Sequence, residues 1–300
     1  MNSVYEIPSV TRRGGHEPRV PGDVSIVNGA DIRLGQLFDR ESGRSFIAAF
    51  DHGVTLGPKP GSESVLGGLE RIVAGGPDGI LISPGTMKIG GHLFAFHGSP
   101  VPIVRADWIY NTEVYPGLPA LLQDPRQGEH YEVICSPEDA LAMGAGAITM
   151  FLIVGTADGA TFSNNARQVA ANVQAARRAG IPVIVESVLW GSRIEDKRDP
   201  ELLAFGARVA AEFGADAIKT AYTGDPETMR QVVEGCPVPV LVLGGVRSSD
   251  PDVVLEATRG ALDAGAKGVV YGRNVWQADD PILMCGLLRQ VIHTPVAIPV

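Results

Sequence analysis

One lysine, Lys219, stands in a setting that suits nucleophilic chemistry. It follows Ala217 and Ile218 in a short apolar run, whereas the other four lysines lie in Pro-, Gly- or charge-rich surroundings. Burying an ammonium group is costly, so a lysine on a buried strand should have a lowered pKa or a carboxylate partner. A neutral amine there could condense with a ketone or aldehyde to form an imine. The alternative is a structural lysine paired with an acid such as Asp51, because ion-pair networks also use such positions.

Two carboxylates and a histidine are the candidate proton carriers. Asp51 follows an apolar run and could hold Lys219 charged or neutral and pass protons to a substrate hydroxyl. Glu186 is flanked by apolar residues, where a raised pKa would suit general acid–base work, although a salt bridge to a residue such as Arg105 is the alternative. His52 is assigned a supporting role. Because the chain has no His-x-His, HExxH or clustered Cys/His set, we predict no metal.

A third group of residues could bind an anion. Gly244-Gly245 and Gly272-Arg273 follow two late apolar runs, and Arg247 is a plausible second cation. If these runs are the last two strands of a barrel, such loops commonly bind phosphate through backbone N–H groups, and an arginine adds a bidentate contact. Mere turn glycines are the alternative. The predicted substrate-binding set is completed by Arg105, Trp190 and Tyr222.

The elements that must position these residues alternate along the chain. Short apolar runs, typical of parallel strands buried on both faces, alternate with helical stretches that often end at glycine. The predicted strands are Phe46–Phe50, Gly79–Ile82, Pro102–Arg105, Ala147–Ile153, Val183–Val188, Ala217–Thr220, Val238–Leu243 and Gly268–Tyr271. Eight such units predict an α/β fold, a (β/α)8 TIM barrel. A doubly wound open sheet is the alternative, although no GxGxxG follows an early strand.

The domain prediction is a single barrel over residues 33–293. Residues 1–32 are polar, rich in Gly, Pro and Arg, and are predicted to form an N-terminal extension; residues 294–300 form a C-terminal tail. Residues 107–131 form a long excursion after the third strand. This excursion is either a surface loop or a lid over the substrate, since unusually long loops are often functional.

The composition excludes several classes of protein. The chain has 300 residues, of which 45% are hydrophobic and 20% charged, as is usual for a globular protein. The net charge of −9 argues against a basic surface that would bind nucleic acid. No apolar run approaches the roughly 18 residues of a membrane-spanning helix. No signal-peptide pattern is present, so the cytoplasm is the expected compartment. An acidic protein that binds anionic substrates must concentrate its positive charge in one pocket.

Several segments, taken in order, carry a resemblance to a known family. They are Leu37–Gly43, Asp51–Pro58, Ile218–Asp225, Gly244-Gly245 and Tyr271–Gln277. Together they resemble the class I aldolases that include archaeal-type fructose-bisphosphate aldolase, aminodideoxyheptulosonate synthase and the autoinducer-2 phospho-dione thiolase. The resemblance, which runs from about Leu34 to His293, implies that Lys219 forms an imine with the substrate, without a cofactor, and that Asp51 assists it. It also implies that Gly244, Gly245, Gly272 and Arg273 hold a substrate phosphate, and that the protein is a homo-oligomer.

The chain departs from the family pattern at two places. The aldolase and the heptulosonate synthase have Tyr-Pro-Arg-Gly at the end of strand five, where the tyrosine is the usual proton donor; here the segment is Val188-Leu-Trp190-Gly191. Glu186 would then take its place, as a strand-five glutamate does in tagatose-bisphosphate aldolases. Gly-Gly-Pro-Lys becomes Gly-Gly-Val-Arg247, which keeps the charge but changes its geometry. The third strand, with Arg105, looks more like the thiolase branch.

Three hypotheses follow from these residues. The first is a metal-independent lyase or transferase that acts on a phosphorylated keto-sugar or dione through an imine on Lys219. The second is a thiolase-like acyltransferase that acts on a phosphorylated dione with a thiol acceptor such as coenzyme A. The third is a phosphosugar-binding barrel without catalysis, since a fold does not determine a function.

Overall fold

The main feature of the fold is a closed barrel of eight parallel strands. A computed structural model describes residues 28–110 and 129–294, and the strands run around the barrel in the order β1-β10-β9-β8-β7-β6-β3-β2. Helices connect successive barrel strands, so the predicted (β/α)8 TIM barrel is confirmed. The alternative of an open doubly wound sheet is wrong, because the sheet closes through the pairing of β1 with β10.

The barrel strands agree with the predicted ones to within two residues at each end. They are β1 Ser45–Ala49, β2 Gly79–Ile82, β3 Val101–Arg105, β6 Ala147–Ile153, β7 Val183–Val188, β8 Ala217–Ala221, β9 Val240–Leu243 and β10 Gly268–Tyr271. Between β3 and β6 lies a two-stranded antiparallel sheet of β4 Asp107–Tyr110 and β5 His130–Val133, which the sequence did not reveal.

The helices lie outside the barrel or at its ends. They are α1 Gly29–Gln36, α2 Gly53–Leu56, α3 Val65–Ala74, α4 Pro84–Gly90, a 3₁₀ turn Gly91–Phe94, α5 Pro137–Ala142, α6 Gly159–Ala179, α7 Pro200–Glu212, α8 Pro226–Glu234, α9 Pro251–Asp263, α10 Arg273–Trp276 and α11 Pro281–His293. Among residues 28–110 and 129–294, none of them has the length and apolarity that crossing a membrane requires.

An Asp-Pro pair begins four of these helices. Asp199, Asp225, Asp250 and Asp280 are the N-cap residues of α7, α8, α9 and α11, and each side chain accepts a backbone N–H of the first turn. The proline that follows occupies the first helical position, where its missing N–H costs nothing. The local sequence therefore determines where these helices begin.

The barrel interior is filled by inward-facing residues two positions apart on each strand. Its lower layer is apolar and consists of Ile47, Leu81, Ile103, Ala147, Ile184, Ala217, Leu241 and Val270. Leu37, directly after α1, packs against this layer beside Gly79 and covers the amino-terminal end of the barrel. Because successive side chains of a strand alternate between faces, Glu186 lies one layer above Ile184, and Lys219 above Ala217.

Two of the predicted segments end within described helices or strands. The boundary at residue 32 falls inside α1, whose Arg33 Nη1 donates a hydrogen bond of 2.8 Å to the Gly180 carbonyl. The predicted excursion 107–131 has β4 and β5 at its two ends. Residues 1–27, 111–128 and 295–300, which hold most of the predicted extension, loop and tail, lie outside the described residues.

Candidate active site

A cavity of about 520 Å³ opens at the carboxyl end of the barrel strands. The structure brings most of the predicted site residues together around it: Asp51, His52, Arg105, Glu186, Trp190, Lys219, Gly244, Gly245, Gly272 and Arg273. They come from strands β1, β3, β7, β8, β9 and β10 and from the loops that follow them. This end of a TIM barrel is where enzymes of this fold carry out their chemistry.

Lys219 lies inside the barrel with a carboxylate beside it. Its Nζ is 2.7 Å from Oε1 of Glu186, and its side chain is 8% exposed. The two residues are paired in the register of β7 and β8, so their side chains point inward and lie side by side. The acid that contacts the amine is therefore Glu186, and not Asp51, which the sequence suggested as a partner of Lys219. A carboxylate at this distance can stabilise the ammonium form and can also take up its proton.

Arg105 joins the carboxylates on the floor of the cavity. Its Nε donates to Asp51 Oδ2 over 2.9 Å, its Nη1 to Asp107 Oδ1 over 3.3 Å, and its Nη2 to Glu186 Oε2. The guanidinium also lies 3.8 Å from the centre of the Phe151 ring. The salt bridge between Glu186 and Arg105, one of the two alternatives from the sequence, is present together with the contact to Lys219. Because all three guanidinium nitrogens contact carboxylates, Arg105 is placed to orient acids rather than to bind substrate directly.

The charge states of Asp51 and His52 follow from their surroundings. Burial raises the pKa of Asp51, but Arg105 and the neighbouring His52 and Lys219 outweigh it, so the pKa lies below its ordinary value. Burial lowers the pKa of His52 against the opposing effect of Asp51. At neutral pH Asp51 is therefore a carboxylate and His52 is neutral. The His52 ring packs against Trp276 at 5.5 Å and against Gly272, where a Cβ would come within 2.2 Å of the ring.

Asp107 is a buried acid that was not among the predicted site residues. It begins β4 two residues after Arg105, and besides Arg105 it accepts the backbone N–H of Phe151 on β6. Burial raises its pKa to about 6, although Arg105 and the Phe151 N–H oppose this effect. Asp107 thus ties the hairpin β4–β5 to the floor of the cavity and titrates below neutrality.

Asp107 should give the stability of the protein a characteristic pH dependence. Between the ordinary pKa of 3.8 and about 6, the folded protein holds a proton on Asp107 that the unfolded chain has lost. This contribution to stability is present below the unfolded pKa and is lost as the pH rises through the folded pKa. We therefore expect the free energy of unfolding of the wild type, relative to Asp107→Asn, to fall across this pH window. Urea unfolding at a series of pH values measures it, and a pH-independent difference would contradict the assignment.

The predicted anion-binding loops lie side by side at the rim. Gly245 has a φ of +60°, and Arg273 Nη2 donates to its carbonyl over 3.0 Å. Asn274, which was not among the predicted residues, joins the loops after β9 and β10: it accepts the Ser248 N–H over 2.9 Å and donates to the Gly244 carbonyl over 2.7 Å. A Cβ at Gly244 would come within 3.1 Å of the Tyr271 ring, so a side chain there would crowd the loop.

Two predicted binding residues point elsewhere, and other cations line the cavity. Arg247 donates to the Gln277 carbonyl on the surface, and Tyr222 lines a neighbouring cavity formed with α9. Arg198 borders both cavities. Lys59 and Lys197 also line the main one. All four residues of the loop 196–199 are charged. The sequence does not show which of them line the cavity, whereas the structure shows that Lys197 and Arg198 do.

The described residues contain no candidate metal site. Among them, no group of three or more His, Cys, Asp or Glu side chains is arranged to hold an ion. The polar groups on the cavity floor are engaged with one another: three carboxylates with one guanidinium and one ammonium. What the arrangement offers is a lysine amine, adjacent carboxylates to move protons, and a rim suited to an anion.

Comparison with known proteins connects this cavity to enzymes. A model of the DeoC/LacD family aldolases matches residues 45–278. An uncharacterized aldolase of Saccharolobus solfataricus is 34% identical over 88% of this chain and 94% of its own. The 2-amino-4,5-dihydroxy-6-oxo-7-(phosphonooxy)heptanoate synthase of Streptomyces griseus is 32% identical over 87% and 89%. Among solved structures, an archaeal fructose-1,6-bisphosphate aldolase with its catalytic Lys covalently bound to the carbinolamine intermediate is 28% identical, with a TM-score of 0.74 over 88% and 99%.

Proposed function

The chain belongs to the DeoC/LacD family of aldolases, and from this premise we propose that it makes or breaks a carbon–carbon bond in a phosphorylated keto-sugar or dione through an imine on Lys219. The observation that carries the proposal is the position of Lys219 Nζ, inside the barrel and 2.7 Å from the Glu186 carboxylate. Further support comes from the aldolase structure whose lysine is bound to a carbinolamine.

The imine explains how an amine promotes cleavage. Lys219, once it has given its proton to Glu186, adds to the substrate ketone, and loss of water leaves a protonated imine. The bond between the carbons α and β to the imine carbon then breaks, and its electron pair moves into the iminium group to form an enamine. The proton of the β-hydroxyl group passes to a carboxylate, and an aldehyde leaves. Protonation of the enamine and addition of water release the second product and restore the amine.

Two carboxylates divide the proton transfers. Glu186 contacts the amine itself, so we assign to it the exchange of protons with Lys219 and the substrate. Asp51, whose pKa lies below its ordinary value because Arg105, His52 and Lys219 outweigh the effect of burial, stays ionised and stabilises the positive imine. Their common contact with Arg105 holds both carboxylates in place.

The phosphate of the substrate is assigned to the rim formed by the loops after β9 and β10. Gly244 and Gly245 allow a phosphate to approach backbone N–H groups closely, and Arg273 contributes a cation that is already hydrogen-bonded to the Gly245 carbonyl. Arg198 replaces Arg247 as the candidate for a second cation, because it lines the cavity.

Borohydride trapping tests the imine directly. The purified protein is incubated with dihydroxyacetone phosphate and sodium borohydride, digested and analysed by mass spectrometry. We expect the reduced adduct on the peptide that contains Lys219, and Lys59 and Lys197, which also line the cavity, serve as internal controls. An adduct on another lysine, or an active enzyme without an adduct, would contradict the proposal.

Replacing Glu186 by glutamine should separate binding from proton transfer. Glutamine has nearly the same shape but cannot take the proton of Lys219, so kcat should fall by about 10²- to 10⁴-fold, the usual contribution of a general acid or base. The rate of imine trapping should fall with it. Glu212→Gln, on the exposed side of α7, is the matched control. A kcat equal to that of the wild type would exclude Glu186 as a proton carrier.

A thiolase-like acyl transfer is the second candidate. The observation that favours it is Arg105 on β3, a strand that resembles the thiolase branch, because this arginine contacts Asp51, Asp107 and Glu186 on the floor of the cavity. With a phosphorylated dione as substrate, this alternative predicts that turnover requires added coenzyme A and yields an acyl thioester. Turnover that is independent of a thiol and releases an aldehyde favours the aldolase. Liquid chromatography with mass spectrometry of the products decides between them.

Two broader expectations stay predictions. The resemblance to class I aldolases predicts a homo-oligomer, and the composition and net charge of −9 predict a cytoplasmic protein that binds neither nucleic acid nor membranes.

A further inference from the structure

The side of the cavity formed by β6 and β7 is apolar. Phe151 lies on β6 and lines the cavity, and Val188, Leu189 and Trp190 follow one another at the end of β7. Phe151, Val188 and Leu189 are almost fully buried, whereas Trp190 is half-buried and lines the cavity. The rings of Phe151 and Trp190 pack with their centres 5.3 Å apart. We call these four residues the apolar wall.

Backbone contacts hold the apolar wall in place. Directly after Trp190, the Gly191 N–H donates to the Val154 carbonyl over 3.1 Å, and the Val154 N–H donates to the Val188 carbonyl over 2.9 Å. A Cβ at Gly191 would lie 1.9 Å from the backbone of Gly155, so only glycine allows the loops after β6 and β7 to approach this closely. The apolar wall is therefore preformed, which lowers the entropic cost of binding against it.

The order of strands in the barrel places the apolar wall opposite the anion-binding loops. The strands follow one another as β10, β9, β8, β7 and β6. The glycine loops belong to β9 and β10, Lys219 to β8, and the apolar wall to β7 and β6. A substrate that has its phosphate at the glycine loops and its carbonyl carbon at Lys219 can therefore extend from Lys219 to the apolar wall on the two strands that follow in this order.

The arginine that contacts the apolar wall is engaged with acids. Arg105 lies over Phe151, but its guanidinium nitrogens contact Asp51, Asp107 and Glu186. Lys197 and Arg198 are exposed at the rim, and Arg198 lies beside Gly224 in the loop after β8. A phosphate placed against these four apolar side chains would lose water without gaining a charged partner from them, which is unfavourable, whereas an apolar group would gain from leaving water.

We propose that the apolar wall is a binding subsite for an uncharged, apolar substituent, so that the carbonyl compound released from or added to the Lys219 enamine carries no phosphate. This inference rests on the proposed function, because it assumes that the phosphate end of the substrate lies at the glycine loops. Trp190 is its specificity-determining residue, since it lines the cavity and has the largest and most exposed side chain of the apolar wall.

Binding of an unreactive probe tests the subsite independently of catalysis. Benzyl alcohol is titrated into the wild type and followed by saturation-transfer NMR, with glycerol 3-phosphate as a second probe. We expect benzyl alcohol to bind the wild type and Trp190→Phe similarly, and Trp190→Arg about tenfold or more weakly, the scale of a lost apolar contact in a pocket. Glycerol 3-phosphate should bind without displacing it. Absence of binding, equal binding to Trp190→Arg, or displacement by glycerol 3-phosphate would overturn the inference.

Kinetics with matched aldehydes separates this inference from the proposed function. With dihydroxyacetone phosphate as donor, we expect a higher kcat/KM for butanal than for glyceraldehyde 3-phosphate in the wild type, and a reversal of that preference in Trp190→Arg. Folding of the variant is verified by circular dichroism and by borohydride trapping of the donor. If the donor is trapped on Lys219 but glyceraldehyde 3-phosphate is preferred over butanal, the proposed apolar subsite is contradicted, whereas the proposed imine on Lys219 is supported. If no donor is trapped, the proposed function fails, and the NMR titration alone decides the subsite.

Discussion

Replacing Lys219 by methionine is expected to lower kcat by about 10⁴-fold or more, the scale seen when an enzyme loses its nucleophile. Methionine is unbranched and of similar length, so it fills the space between β7 and β9 but has no amine to form the imine. The loss should appear in kcat rather than in substrate binding, because the loops after β9 and β10, which we propose bind the phosphate, are left in place. Steady-state kinetics and equilibrium binding of dihydroxyacetone phosphate measure the two effects separately.

The matched control for this variant is Lys88→Met. Lys88 is exposed on α4, away from the cavity, so its replacement should leave both kcat and borohydride trapping as in the wild type. A Lys219→Met protein that retains turnover would show that the amine is structural, as the ion pair with Glu186 would by itself allow. Binding of phosphosugars with no turnover in the wild type would instead support the non-catalytic barrel.

Replacing Arg105 by methionine is expected to lower the free energy of unfolding by about 3–5 kcal/mol, the cost of breaking a buried ion pair by removing one partner. Arg105 is 1% exposed and contacts Asp51, Asp107 and Glu186. Without it, these carboxylates share Lys219 as their remaining buried cation in the cluster that the structure describes. The expected response is partial neutralisation of the carboxylates together with loss of stability. Urea unfolding at neutral pH measures the change.

An exposed arginine provides the control for Arg105. Arg208 pairs with Glu212 one turn away on α7, and both side chains are more than half exposed, so Arg208→Met should change stability by about 0–1 kcal/mol. Arg105→Lys should restore only part of the loss, because an ammonium cannot present the planar fork that contacts three acids. A stability of Arg105→Met within the range of the Arg208 control would show that the three contacts contribute little net energy.

The strands and several helix starts were predictable because their signals are local. The apolar runs Ala147–Ile153 and Val183–Val188 coincide with β6 and β7, since strands buried on both faces need continuous apolar sequence. The Asp-Pro pairs before α7, α8, α9 and α11 begin helices through contacts within one turn. The hairpin β4–β5 was missed because each strand is four residues long and its partner is separated by 19 residues that show no periodic pattern.

The site was predictable as a set of residues but not as a set of contacts. Lys219, Glu186 and Asp51 stood out because charged side chains on apolar strands are rare, and the structure brings them into one cavity. The sequence did not show that Glu186 contacts the amine, that Asp107 joins the floor, or that Arg198 lines the cavity where Arg247 does not.

The sequence by itself determined the alternation of strands and helices, the barrel architecture and the identity of the buried lysine, because periodicity and caps act between residues close in the chain. Closure of the barrel decided the rest. It aligned Glu186 with Lys219 across two strands, joined Arg105 to acids from β1, β4 and β7, and placed the apolar wall across from the glycine loops. These contacts depend on the register between strands that are far apart in sequence, and register is set by the packing of the whole interior.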